Sequence, residues 1–317
     1  MRRLTPPTLL LIALSLIAPA TARAWNKSGH MVTGAMAYRE LKAADAGKPP
    51  AARAVPKLVA ILKRHPWYED IWLPQIEALN DSDPDSHDLY LFMLAARWPD
   101  DARDDPDLHC ELCHYVNFPF KPPGEPASVH TQPPKSENVV AAYKRNWGIL
   151  NGTSSDAVKA LALCWVFHLT GDMHQPLHTS ALFTTRFPQG DRGGTAFFVR
   201  TTAGSQTLSL HKLWDGQVLG SERYQEVRNR ADALLARADL KRSQLAELAE
   251  KNPDRWAGTE SFNAAVRFGY LNGALKSGTE GSGTVLPPNY VSNAKPLAER
   301  RAVLASYRLA DALDAKF

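Results

Sequence analysis

The chain of 317 residues has 37 Lys+Arg against 33 Asp+Glu and is 44% hydrophobic, a composition that fits a folded globular protein and excludes a disordered or fibrous one. Past residue 24 no run is apolar over the roughly eighteen residues that a membrane-spanning helix needs, so no stable membrane association is expected. Three cysteines cannot build a full disulfide framework, which leaves packing or metal to hold the core.

The first element is an export signal. Arg2 and Arg3 precede an apolar run from Leu9 to Pro19, and Ala22-Arg23-Ala24 fits the small-x-small cleavage pattern. Residues 1–24 are predicted to be removed, giving a secreted or periplasmic protein that starts at Trp25. Loss of Arg2, Arg3 and Arg23 brings the net charge near +1. A broad basic nucleic-acid surface is then excluded, and any nucleic-acid contact must be local.

After the signal, apolar residues at helical spacing predict helices over 28–43, 51–64, 86–97, 136–150, 155–175, 222–250, 258–276 and 296–316. A proline-rich stretch, 118–136, reads as a surface loop. "TAFFVRTT", Ala203-Gly204-Ser205 and "QTLSL" read as one β-hairpin within 195–210. A glycine-rich loop, 277–284, precedes the last helix. No repeat and no linker divides the chain, so the expectation is one all-α domain, 25–317, with a small hairpin insertion, acting as a monomer.

Chemistry is written mainly in 155–173, "SDAVKALALCWVFHLTGDM". From Ala157 to Leu169 only Lys159 and His168 are polar, so this helix should be buried nearly all round. His168 and Asp172 share a face at i, i+4. A carboxylate buried there without a partner would lose several kcal/mol of solvation, a conflict that a bound cation removes. His178 follows in "HQPLH". "LHKLWD" repeats the spacing with His211 and Asp215. Histidine nitrogen and carboxylate oxygen without thiolate suit zinc in an open, catalytic arrangement. "RWPDDAR" adds Asp100 or Asp101 with Arg103, and "CHYVNFPFK" adds His114, Tyr115, Asn117 and Lys121.

In this order the residues resemble the S1/P1 nucleases, secreted trizinc enzymes with a mainly helical, phospholipase C/P1 nuclease-like fold. The resemblance rests on "HLTGDMHQPLH", W-x4-H after the signal site, W-x-D-x2-R, "HY" and H-x3-D. It implies one zinc on Asp100, His114, His168 and Asp172, and a second on His178, His211 and Asp215. A third would sit on His30, Asp172 and the amino group and carbonyl of Trp25. The spacing to Arg103 favours Asp100 over Asp101. The implied activity is endonucleolytic hydrolysis of single-stranded DNA and RNA to 5′-phosphorylated products, with 3′-nucleotidase activity. Zinc lowers the pKa of bound water to about 7; Asp172 would bridge two ions and Arg103 would face the phosphate. Tyr115 is the stacking candidate. Asn117 stands where the family carries a base-contacting aspartate, and Thr195 in "GDRGGTAF" stands where it carries an asparagine. Nucleic acid and nucleotides are the implied partners.

Two rival readings remain at this stage. Zinc phospholipase C has a similar fold and zinc count, but ends its last histidine motif with glutamate where this chain has Asp215. Cys110-Glu-Leu-Cys113-His114 matches the c-type haem attachment pattern, although a local Cys110–Cys113 disulfide is the simpler use. His65, His87, His109 and His130 read as solvated, His174 as a supporting residue at most, and Cys164, Trp67, Tyr68 and Trp72 as core.

Overall fold

Two long helices cross at the heart of the molecule, α1 (Lys27–Asp45) and α4 (Pro84–Asp101). Their close approach depends on Gly34, where a Cβ would lie 2.7 Å from the Phe92 carbonyl oxygen. Asn26 caps α1 by accepting from the Gly29 N–H, and Asp83 caps α4 through Asp85. The computed structural model describes residues 25–317, so the expected signal, 1–24, lies outside the described residues. Between the two helices come α2 (Ala54–Leu62), a π-turn at Tyr68–Trp72 and the short α3 (Leu73–Glu77). The π-turn and α3 were not expected from the sequence.

Next follow α5 (Val139–Asn151) and α6 (Asp156–Asp172). Helix α6 packs on α4 and α5 and is buried from Ala162 to Asp172 except at Trp165. It ends at Asp172, short of the expected 175, because Pro176 cannot continue it. The short α7 (Leu210–Asp215) precedes α8 (Tyr224–Ala236). Two predicted helices are broken. Residues 238–249 form three 3-10 turns rather than extending α8. The stretch 253–273 alternates single turns, α9 (Pro253–Arg255) and α10 (Phe262–Ala264), with π- and 3-10 turns. The last helix, α11 (Tyr290–Lys316), starts six residues before the expected boundary and contains Pro296. Its first turn is anchored by the Tyr290 hydroxyl, which donates to the Gly269 carbonyl and accepts from Trp214 Nε1.

Strand content is small. β1 (Phe118–Phe120) pairs in parallel with β2 (Ser180–Leu182), so the proline-rich stretch begins as a strand. The expected hairpin forms between β3 (Phe198–Arg200) and β4 (Leu208–Ser209), and β3 also pairs in parallel with β5 (Thr284–Val285). The chain is therefore a single, mainly helical domain with two small sheets. Among the described residues no helix is long and apolar enough to cross a membrane.

Candidate metal centre

Helix α6 delivers His168 and Asp172 to a fully buried point where four other segments converge. Asp172 Oδ2 lies 3.3 Å from both His168 Nε2 and His114 Nδ1. Its Oδ1 lies 3.4 Å from His30 Nε2, carried by α1, and 3.8 Å from His178 Nδ1. The rings of His30 and His168 stack with centroids 3.7 Å apart. Among the described residues four groups have ligand atoms close enough to share an ion: His30 with His168 and Asp172, Asp100 with His114 and His168, His178 with His211 and Asp215, and Cys110 with Cys113 and Glu137, of which the last has its two sulfurs joined as a disulfide. Asp101 instead pairs with Lys27 and Arg97, so Asp100 is the carboxylate that turns inward. Trp25 is buried nearby, its Cδ1 3.5 Å from where a Cβ on Gly171 would lie.

The electrostatics favour a cation here. Burial, reinforced by Asp100, pushes the Asp172 carboxyl well above its ordinary range. Burial and the neighbouring His168 hold His30 and His114 well below theirs, and burial lowers His168 to about 4. Each shift resists the charge that its own group would bear. Buried donor atoms are also left over: Asp172 Oδ1, Asp100 Oδ2, His114 Nε2 and both ring nitrogens of His30 have no hydrogen-bond partner. Such atoms are rare in cores unless they face an ion or water. Nitrogen and oxygen donors without thiolate fit zinc.

Backbone carbonyls aim the rings. His168 Nδ1 donates to the Ala96 carbonyl at 2.9 Å, His178 Nδ1 to His114 at 2.7 Å, and His211 Nδ1 to Gly193 at 2.6 Å. That fixes the tautomer and turns Nε2 inward in each case. Gly193 must be glycine: its φ is +62° and a Cβ would lie 2.4 Å from the Leu177 carbonyl oxygen. The same loop hangs on Asp191, which accepts from the Leu182 N–H and the Tyr270 hydroxyl. Sequence reasoning missed Asp191, Gly171, Gly193 and Gln175, since none bears a ligand pattern.

A cavity of about 90 Å³ is lined by Tyr115 and Asn117, and by Asn138, Phe183 and Arg192, which the sequence reading did not single out. Lys121 does not line it: its ammonium donates to the Pro126 and Val129 carbonyls and pins the proline-rich loop. Thr195 does not line it either, and its hydroxyl is buried. Arg103 donates through Nε to Asp100 Oδ1 at 2.8 Å, with Nη2 2.6 Å from the same oxygen. Cys110 and Cys113 are joined as a disulfide, which leaves no thiol there for haem attachment, and Cys164 is a buried core residue.

Of the remaining histidines, His130 is exposed and His87 half-buried, its ring at the Asp81 carbonyl. His65 is not solvated: it stacks on Trp72 with centroids 4.2 Å apart, and burial lowers it to about 3. His109 lies near His114 with its Nδ1 buried. His174 is buried behind the centre, between the Thr170 carbonyl and Arg308, which shares Glu260 with Arg301. Trp67, Tyr68 and Trp72 are core or packed on it.

The sequence model of the S1/P1 Nuclease family matches residues 25–317. Among curated proteins, the chain is 29% identical over 170 residues to Endonuclease 4 of Arabidopsis thaliana, covering 49% of this chain and 50% of that protein. Endonuclease 5 of the same plant is 28% identical over 166 residues, 49% and 51% of the two chains, and Endonuclease 3 is 27% identical over 169, with the same coverage. The matched part of the chain spans about half the length of these relatives.

Proposed function

Since the chain belongs to the S1/P1 nuclease family, we propose that it is a zinc-dependent nuclease cutting single-stranded DNA and RNA to 5′-phosphorylated products, with 3′-nucleotidase activity. It would act after export and removal of residues 1–24. The observation that carries this reading is Asp172, a wholly buried carboxylate facing four histidines with one oxygen accepting no hydrogen bond.

Asp100, His114, His168 and Asp172 would hold one zinc, His178, His211 and Asp215 a second, and His30, Asp172 and the Trp25 backbone a third. Bound zinc would supply Lewis acidity toward the phosphoryl oxygens and a water acidic enough to act near neutrality. The chain's own residues do the rest. Arg103 presents a guanidinium beside Asp100, where it can donate to a phosphate that develops charge. Tyr115 and Asn117 line the adjoining cavity, where a ring can stack on a base and an amide can meet either donors or acceptors on its edge. A single strand fits this arrangement because an unpaired base is free to enter.

The test is metal analysis of purified protein combined with assays on single-stranded and duplex DNA and on RNA. Three zincs per chain and cleavage of single strands, abolished by chelator and restored by zinc, are expected. A protein without zinc, or one that cuts duplex equally well, would refute the reading.

A further inference from the structure

We propose that Arg192 and Lys135 hold a phosphate in the cavity lined by Tyr115 and Asn117, so that the preferred substrate carries phosphate on both sides of the sugar whose base enters there. The proposal rests on the nuclease reading above, in which the phosphate that is cut goes to the His/Asp cluster; the one meant here is its neighbour along the strand. Two walls of the cavity continue into that cluster along the chain. Tyr115 follows His114, and Val116 donates its N–H to the His178 carbonyl at 2.7 Å. Arg192 precedes Gly193, whose carbonyl accepts from His211 Nδ1 at 2.6 Å.

The cavity carries unbalanced positive charge. Arg192 and Lys135 line it and are exposed, and among the described residues neither cationic head has a hydrogen bond or an ion pair. Glu137, the acid among its lining residues, is taken up by Arg145 at 2.8 and 3.1 Å. The Arg192 charge also reaches Tyr115: burial and Glu111 raise that hydroxyl above its ordinary range, and Arg192 acts against them. The backbone of Arg192 is left-handed, with φ +58°, a conformation that glycine adopts freely and a bulky side chain rarely does. It is held there by its neighbours. The Asp191 carboxylate accepts from the Leu182 N–H and the Tyr270 hydroxyl, both at 2.8 Å, and the Thr195 N–H donates to the Arg192 carbonyl at 3.2 Å. Strain of this kind is kept at ligand-binding turns for the side chain that it delivers. A guanidinium with free donors suits phosphate through paired N–H groups, and an ammonium adds a point charge. Lys135 is fixed from behind, where Asn138 Nδ2 donates to its carbonyl at 2.8 Å.

The test compares release of the 3′-phosphate from deoxyadenosine 3′-monophosphate and from deoxyadenosine 3′,5′-bisphosphate, with zinc content measured in parallel. Wild type is expected to show a KM ~10-fold lower for the bisphosphate. Arg192→Gly suits the left-handed backbone and removes the side chain, so there the two KM values should nearly converge. Arg192→Lys, which keeps a charge, should retain part of the preference, and Lys135→Gln should lose part of it. Zinc content should match wild type in each, which a merely structural defect in the turn that holds His211 would not allow. Equal KM values for the two compounds in wild type, or a preference that survives in the double variant Arg192→Gly, Lys135→Gln, would overturn the proposal. Should Arg192→Gly lose zinc, the KM ratio of Lys135→Gln, on the other wall, decides. If wild type cuts neither compound, the nuclease reading fails on its own, and calorimetric binding of the same two compounds to wild type and Arg192→Gly decides the phosphate site.

Discussion

Gly171 turns its bare Cα toward the imidazole of His30: a Cβ there would lie 2.9 Å from Nδ1 and 3.0 Å from Cε1. His30 cannot withdraw easily, being stacked on His168 and wholly buried. In an ordinary helix interior Gly→Ala stabilises by about 1 kcal/mol. Here Gly171→Ala should instead displace His30, reduce the zinc content by one equivalent and lower the melting temperature of the loaded protein. Unchanged zinc content would show that the ring finds room elsewhere.

Asp172→Asn should act oppositely on the two metal states. Without metal, the buried carboxylate is a desolvated acid with a raised pKa, so the neutral amide should raise the melting temperature. With zinc, loss of the carboxylate proposed to bridge two ions should remove activity and more than one equivalent of metal, and the melting temperature should fall. Melting curves with and without chelator check both signs. A mutant that is less stable in both states, with full zinc, would mean that Asp172 is only a packing residue.

The buried His/Asp cluster was legible because His168 and Asp172 stand at i, i+4 on a helix too apolar to bury them without purpose. His211 and Asp215 repeat the spacing on α7, and local spacing survives folding unchanged. What was not legible depends on partners distant in sequence. The pairing of Phe118–Phe120 with Ser180–Leu182 joins segments sixty residues apart. Gln175 bears no ligand signature until Asp215 is brought to it. Gly193 looks like any loop glycine until the Leu177 carbonyl fills its open side. The apolar spacing of 258–276 was real but did not require α geometry, and the chain there is wound partly as π-turns. His65 was misread because its neighbours in sequence are polar, whereas its neighbours in space are Trp72 and Trp98.

That burial makes His65 a pH-sensitive element away from the metal centre. Its pKa falls from 6.5 in the unfolded chain to about 3 in the fold. The unfolded state binds the extra proton in this interval, so stability is complete above pH 6.5 and declines as pH falls toward 3. One such group contributes a slope of about 1.4 kcal/mol per pH unit. The metal-free protein should therefore lose stability steeply between pH 6 and 4. In His65→Gln the slope should be smaller by about that amount, as denaturant titrations at several pH values would show. Parallel slopes in the two proteins would place the titration elsewhere.

Asn117 offers a test of the cavity that it lines with Tyr115. Because its amide both donates and accepts, discrimination among the four bases should be flat. Asn117→Asp, an acceptor only, should sharpen it without altering zinc content. Cleavage patterns on mixed-sequence single strands report the difference; identical patterns would remove Asn117 from base contact.

The N-terminal turn is held where an export cut would make it useful. Trp25 is wholly buried, its indole beside the bare Cα of Gly171. The Asn26 N–H donates to the Asp215 carbonyl at 3.3 Å, and the Asn26 and Ser28 side chains donate to the Leu219 carbonyl at 2.7 Å. The backbone next to Trp25 is thereby pinned to the backbone of Asp215, a member of one candidate metal group. A free α-amino group has a pKa near 7.7–8.0, so its lone pair becomes available to zinc near neutrality, and its own carbonyl can complete a chelate. With residues 1–24 attached, that nitrogen is an amide and not a ligand. Protein beginning at Trp25 should bind three zincs and be fully active. Protein beginning Met-Trp25, with the methionine retained, should keep its fold, bind one zinc fewer and lose most activity. Equal zinc content and activity in the two would refute a role for the terminus and leave His30 and Asp172 to hold the third ion without it.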